Sequence, residues 1–263
     1  MERTDVVIVG DGANIVIAAK TADPHPKLPG TIYTAADAIE KLGGKALSLL
    51  LDVRDADAVA AAVTQAAQHF GGIDIRINNA SAINLSGSEG GEVKRFDLIQ
   101  QINMRGTFLV SRSCIPYLRK GANAHVLTLS PPLTMRADWF AQHLRYTVSK
   151  YGMSMVTFGM AEEFRQDGIA FNALWPRTTI ATAAVEFALG GDALMRKSRR
   201  PEIMADAAHA TFLRDARSYT GKFALDDEVL REEGVTDFDG YRYDPAEELE
   251  IDIFVASDGQ PIA

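Results

Sequence analysis

Tyr146 and Lys150 stand four residues apart in Tyr-Thr-Val-Ser-Lys, at the head of a stretch (146–166) whose spacing reads as a long helix. Residues at i and i+4 share a helix face, so a phenol and an ammonium can meet there. A free tyrosine, with a pKa of about 10, is a poor acid or base at neutral pH. A cation beside it favours the phenolate and brings that pKa toward the working range. The pair therefore has the makings of a proton-transfer device. Alone it is a weak signal, because an amphipathic helix with a solvated Lys and a half-buried Tyr shows the same spacing. The surrounding elements have to supply the rest.

Those elements alternate. Short apolar runs at 5–9, 14–18, 45–51, 73–77, 124–129, 170–174 and 222–225 read as strands. Helical spacing predicts helices over 31–42, 55–70, 93–119, 146–166, 179–189 and 202–213, with Asp55 as a cap and Pro116 as a kink. Residues 21–30 hold three prolines and a glycine and read as a loop. Strands that are apolar throughout argue for a parallel sheet covered by helices on both faces, a Rossmann-type doubly wound α/β fold in a single domain. Ligands bind such sheets beyond the carboxyl ends of the strands. Asp52, Asn79, Ser130 and Trp175-Pro176 fall there. Residues 1–230 are taken as the domain and 231–263 as an acidic tail, with 244–252 as a solvated run.

Bulk properties exclude several classes. A net charge of −8 argues against a nucleic-acid partner. The one cysteine, Cys114, can form no intramolecular disulfide, which fits a reducing compartment. No apolar run approaches the ~18 residues of a membrane span, and the opening residues do not read as a signal peptide. A cytoplasmic protein without a membrane span is expected. The five histidines show no metal-ligand spacing, so no metal site is expected.

In this order and at about these spacings, Asn78-Asn79-Ala80, Asn103 in Q-I-N-M-R-G, Ser130, Y-T-V-S-K, and Pro176 with Thr178, Ile180 and Thr182 resemble the short-chain dehydrogenase/reductase family. Two further stretches, A-A-K-T-A-D-P-H-P-K-L-P-G-T-I-Y-T-A-A and N-A-L-W-P-R-T, resemble a hydroxysteroid-dehydrogenase-like subgroup of it. The resemblance implies an oxidoreductase interconverting an alcohol and a carbonyl, on an apolar or lipid-like small molecule. It also implies a homodimer or homotetramer. Tyr146 would exchange the proton, Lys150 would depress the Tyr pKa and hold the nicotinamide ribose, and Ser130 would bond the substrate oxygen. Asn103 would kink its helix and support a water chain to Lys150. Asp52 and Val53 would flank the adenine, and Asn79, Ala80 and Ser81 would line the adenosine side. The backbone from Pro176 to Thr182 would dock the carboxamide, and Gly10 is included among the cofactor contacts. At the end of the second strand a base, Lys20, stands where an acid would select NAD, so NADP(H) is favoured over NAD(H).

Three departures stand out. The family's first strand leads into a glycine-rich loop and helix that hold the pyrophosphate. Here Gly10 to Ala13, four residues, join the first two strand runs, and a parallel crossover takes about a dozen or more. By comparison about 15 residues of the first crossover are absent, through either an omitted segment or a genuine deletion. Arg76 occupies an apolar position of its strand, where an unpaired charge is costly. Pro131 follows Ser130 where many members carry a second, catalytic serine. These departures support a rival reading, a non-catalytic binding or scaffolding protein on the same fold.

Overall fold

Capping side chains set the frame before packing does. The computed structural model describes residues 2–3, 12–20, 22–24 and 30–256. The chain runs through β1 (Glu2–Arg3), β2 (Asn14–Ala19), α1 (Ile32–Lys41), β3 (Lys45–Leu50) and α2 (Ala56–Phe70). Thr31 caps α1 by accepting from the N–H groups of Tyr33 and Thr34, and the Thr34 hydroxyl accepts from the Thr31 N–H in return. Asp55 caps α2 through the N–H groups of Asp57 and Ala58, and Gly71 ends it in the left-handed region at φ 85°. The expected strand at 5–9 and Gly10 lie outside the described residues.

The second half supplies β4 (Ile75–Asn78), β5 (Ser81–Ala82), α3 (Val93–Gln100), α4 (Gly106–Leu118), β6 (His125–Thr128) and α5 (Ala137–Glu163). Then come β7 (Ala170–Trp175), α6 (Gly191–Arg196), α7 (Glu202–Phe212), β8 (Phe223–Leu225) and α8 (Asp226–Glu232). Strands β4, β6, β7 and β8 form one parallel sheet in the order β4-β6-β7-β8, and β2 pairs in parallel with β3 in a second. Strand β1 pairs antiparallel with β5, Glu2 opposite Ala82. Among the described residues no strand joins β2 to β4.

The main core lies between the sheets and helices α2, α4 and α5, around Val59, Val63, Ile99, Leu118, Val126 and Phe171. A second cluster, with Leu127, Leu174, Ile203, Ala207 and Val229, packs α7 and α8 on the other face. Helices α2, α4 and α7 turn small and aliphatic residues inward at helical spacing, as the periodicity predicted.

Four expectations need correction. The 93–119 helix is not continuous. A π turn, Gln101–Arg105, divides it, and the helix then runs on through Pro116 to Leu118. Helix α5 begins at Ala137 rather than 146 and breaks at His143 (φ −140°, ψ 43°). Only Val185–Leu189 of the 179–189 helix forms, as a π turn. Its first residues are drawn into extended bridges, Thr178 with Ile251 and Ile180 with Arg199. Finally, part of the tail expected over 231–263 packs inside, and so does the chain just before that tail. Asp226 and Asp227 open α8 and are buried, and so are Phe254 and Val255.

Asp226 carries a pH consequence. Its Oδ1 accepts from the N–H groups of Arg177 (2.9 Å) and Asp227 (2.8 Å), while Oδ2 is buried without a partner. Burial raises the carboxyl pKa to about 6. An unfolded Asp titrates near 3.9, so between those values the folded chain binds the extra proton. Stability therefore falls as pH rises from about 4 to about 6 and is level above that, by at most about 3 kcal/mol. Asp226→Asn should remove that fall. Urea midpoints measured at intervals from pH 4 to 7 will show whether the wild-type slope exceeds the variant's; parallel curves would rule the assignment out.

Candidate active site

The break at His143 turns the rest of α5 inward, and Tyr146 and Lys150 are both buried, at 6% and 3% exposure. Lys150 Nζ donates to the Leu129 carbonyl at 2.7 Å and lies 5.0 Å from the centre of the Trp175 ring. One turn further along α5, Ser154 Oγ donates to the Pro131 carbonyl at 2.6 Å. The segment leaving β6 is thus pinned to α5 on both sides of Ser130. Ser130 is fully buried, and its Oγ has no hydrogen-bond partner.

Asn103 sits inside the π turn. Its side chain accepts from the Ala82 N–H (2.7 Å) and donates to the Ala82 carbonyl (3.0 Å) and to Ser149 Oγ (2.9 Å). Ser149 Oγ in turn donates to the Tyr146 carbonyl at 2.7 Å. The helix irregularity expected at Asn103 is present, and the chain Ala82–Asn103–Ser149–Tyr146 fixes α5 relative to the end of β4. Gly106 follows at once. A Cβ there would lie 2.9 Å from Val53 Cγ2, so only glycine lets Val53 close on the helix.

The strand ends carry the other expected residues. Asp52 accepts from Arg54 Nε at 2.9 Å and from the Arg54 N–H at 3.0 Å. The side-chain bond from Arg54 holds the Asp52 carboxyl down at about 2, and the charge of Lys20 acts in the same direction. Asn79, Ala80 and Ser81 follow β4 and are half-buried. Pro176, Thr178, Ile180 and Thr182 follow β7, with Thr178 buried. Arg76 has a buried Nε without a partner, and burial lowers its pKa.

The electrostatics differ from expectation. Burial, and secondarily the charge of Asp252, pushes the Tyr146 phenol above its ordinary value. Burial pulls the Lys150 ammonium down to about 7. A desolvated pair behaves this way because burial disfavours whichever form is charged.

Three residues here were missed by sequence reading. Arg145 is buried and donates to Ser86 Oγ (3.0 Å), to Asn84 Oδ1 and to the Glu92 carbonyl, tying the 84–92 loop beside Tyr146. Asp252 is half-buried and accepts from Trp175 Nε1 at 2.8 Å. Phe254 packs on the Tyr146 ring. A Tyr-adjacent Arg gives no signal in sequence, and Asp252 lay inside an acidic run read as solvated.

Comparison with known proteins agrees with this geometry. A profile of the short chain dehydrogenase family matches residues 7–188. Hydroxysteroid dehydrogenase-like protein 2 of Danio rerio is 56% identical over 251 residues, 95% of this chain and 59% of the relative. The Homo sapiens protein of that name is 54% identical over 93% of this chain and 58% of its own length. The chain thus spans under two thirds of those relatives. A short chain dehydrogenase of Mycobacterium thermoresistibile superposes with TM-score 0.89 at 52% identity, covering 95% of this chain and 89% of that one. A metagenomic short-chain oxidoreductase solved in complex with NADP shares the fold, with TM-score 0.65 at 21% identity over 81% of this chain and 85% of its own. The chain belongs to the short-chain dehydrogenase family.

Proposed function

We propose that the chain is an NADP(H)-dependent oxidoreductase that interconverts an alcohol and a carbonyl on an apolar, lipid-like substrate. The observation that carries this reading is the convergence of Tyr146, Lys150, Ser130 and Asn103, brought from three separate segments and joined through Leu129, Ser149 and Ala82. The orphaned Ser130 Oγ is a donor that a substrate oxygen would satisfy. A bound nicotinamide supplies the hydride chemistry. Tyr146 gives or takes the proton at its phenol oxygen, Ser130 steadies the substrate oxygen, and Lys150 places a cation one turn along the same helix face and holds the ribose. Asn103 positions Tyr146 and Lys150 through Ser149, and supports a water chain to Lys150. The rival non-catalytic reading finds no support in the comparisons.

In this reading the described residues would hold a dinucleotide as follows. Asp52 and Val53 flank the adenine, Asn79, Ala80 and Ser81 line the adenosine side, and the backbone from Pro176 to Thr182 takes the carboxamide. Gly10 lies outside the described residues. Lys20 just after β2 and Arg54 after β3 support this reading, since bases on the adenosine ribose side would favour the 2′-phosphate of NADP. Calorimetric titration should therefore give NADPH an affinity at least about tenfold above NADH. Equal affinities would remove the NADP preference, and binding of neither would remove the enzyme reading.

The exposed apolar residues Phe108 on α4 and Val148, Met155 and Phe158 on α5 suit a homodimer or homotetramer interface. A reducing compartment, the cytoplasm, fits a free buried Cys114. Among the described residues no helix is long and apolar enough to cross a membrane.

A further inference from the structure

Residues 250–256 close over the catalytic pair. The Thr179 N–H donates to the Glu250 carbonyl and the Asp252 N–H to the Arg177 carbonyl, each at 3.0 Å. Thr178 and Ile251 form an antiparallel bridge between the same two stretches. The Asp252 side chain pins the segment to Trp175 Nε1. At the centre lies Phe254, 1% exposed. Its ring is stacked on Tyr146, with centroids 6.1 Å apart and planes at 25°. The Trp175, Tyr151 and Trp139 rings stand 5.6, 5.8 and 6.2 Å away. Phe140, which packs on Tyr151, also lines an open cleft of about 590 Å³ with Met135, Ala141 and Leu144. The phenol thus faces a ring of its own chain where the reacting part of a substrate has to arrive.

We propose that Phe254 marks a substrate subsite: the cage of Tyr146, Tyr151, Trp139 and Trp175 takes a flat apolar ring, which enters by displacing Phe254 and lifting the 250–256 strap. The word substrate rests on the function proposed above; the cage and its strap do not. Ring-on-ring packing at these separations is favourable without demanding one chemical identity, so an aromatic or alicyclic group of similar thickness can replace the phenyl. A segment that must leave first lowers apparent affinity by the fraction of time it is open. The closed state also buries Tyr146 and Lys150, and burial pushes the phenol up, away from neutral pH. Opening the strap would rehydrate both.

The test uses the full chain and two readouts that need no turnover. One is the acetylation rate of Lys150 by acetic anhydride, followed by mass spectrometry with the exposed Lys94 as internal reference. The other is calorimetric binding of 2-naphthol. Phe254→Ala empties the seat. Asp252→Ala removes the Trp175 bond while leaving the ring in place. Both variants should acetylate Lys150 at least about tenfold faster than wild type, and 2-naphthol should bind Phe254→Ala at least about tenfold more tightly and slow that acetylation. Lys150 labelled at the wild-type rate in both folded variants overturns the proposal. So does 2-naphthol binding in Phe254→Ala while Lys150 stays shielded without it, because an enclosed void would do the same. If Phe254→Ala does not fold, the acetylation rate in Asp252→Ala decides. Loss of the enzyme reading through an active Tyr146→Phe variant would leave these readouts standing.

Discussion

Tyr146→Phe should lower turnover of a responsive carbonyl substrate by about 10²- to 10⁴-fold, with the melting temperature close to that of wild type. The substitution removes one oxygen and keeps the ring. The stacking on Phe254 and the packing within the aromatic cluster therefore persist. What is lost is the proton route at the phenol. Because Lys150 keeps its bond to the Leu129 carbonyl and its place over Trp175, cofactor affinity should change little. The fall should then appear in kcat rather than in the cofactor's binding constant. Steady-state rates and a cofactor titration on the same preparation check both halves. Undiminished turnover would remove Tyr146 from the chemistry and leave the site as a binding surface.

The second large effect is structural. Asp227, 1% exposed, receives Arg177 Nε on both carboxylate oxygens at 2.8 Å. Arg199 Nη1 and Arg231 Nη2 approach its Oδ2 at 3.8 and 3.5 Å. Arg199 is itself 6% exposed, and its Nε and Nη1 lack hydrogen-bond partners, so the carboxylate of Asp227 is its main compensation. Removing one member of a buried ionic cluster strands the others. Asp227→Ala should cost about 3–5 kcal/mol, read as a fall in the urea midpoint with the slope unchanged. Glu228 also holds Arg177, through Nη2 at 2.8 Å, but at the surface, where it is screened. A loss under about 1 kcal/mol would mean that solvent already compensates these guanidinium groups. Since Arg177 lies in the Pro176–Thr182 stretch, weakened cofactor binding should accompany the loss.

Much of this was legible in the chain because it depends on local spacing. Tyr146 and Lys150 share a face by helical geometry alone, Asp55 and Gly71 bound α2 by their own chemistry, and the apolar strand runs show parallel pairing without any knowledge of partners. The misreadings have a different origin. Residues 179–182 have helical spacing, yet pairing of Thr179 with Glu250 and of Ile180 with Arg199 holds them extended. Asp252 was read within a solvated run because a carboxylate's neighbours are invisible in sequence, yet the Trp175 indole ties it down; Arg177 and Arg199 likewise hold the buried Asp227. The Tyr146 pKa follows the same logic. Spacing identifies the cation, while burial, which only the assembled aromatic cluster creates, decides the direction of the shift.

The packing of β2, β3 and α1 has a consequence for how the molecule breathes. Strands β2 and β3 with α1 enclose their own small cluster of Ile17, Ile32 and Ile39. Among the described residues, they meet the larger body along a limited seam. Ala18, Leu51 and Val53 pack into the main core, and Arg105 Nη1 donates to the Arg54 carbonyl at 2.6 Å. A unit with few buried contacts to its neighbours opens at a lower free energy than the whole. The adenine side of the proposed cofactor site belongs to this unit, and the catalytic pair belongs to the larger body. A dinucleotide lying across both would act as a staple between two independently opening parts, and its binding energy would appear as suppressed local unfolding as well as affinity.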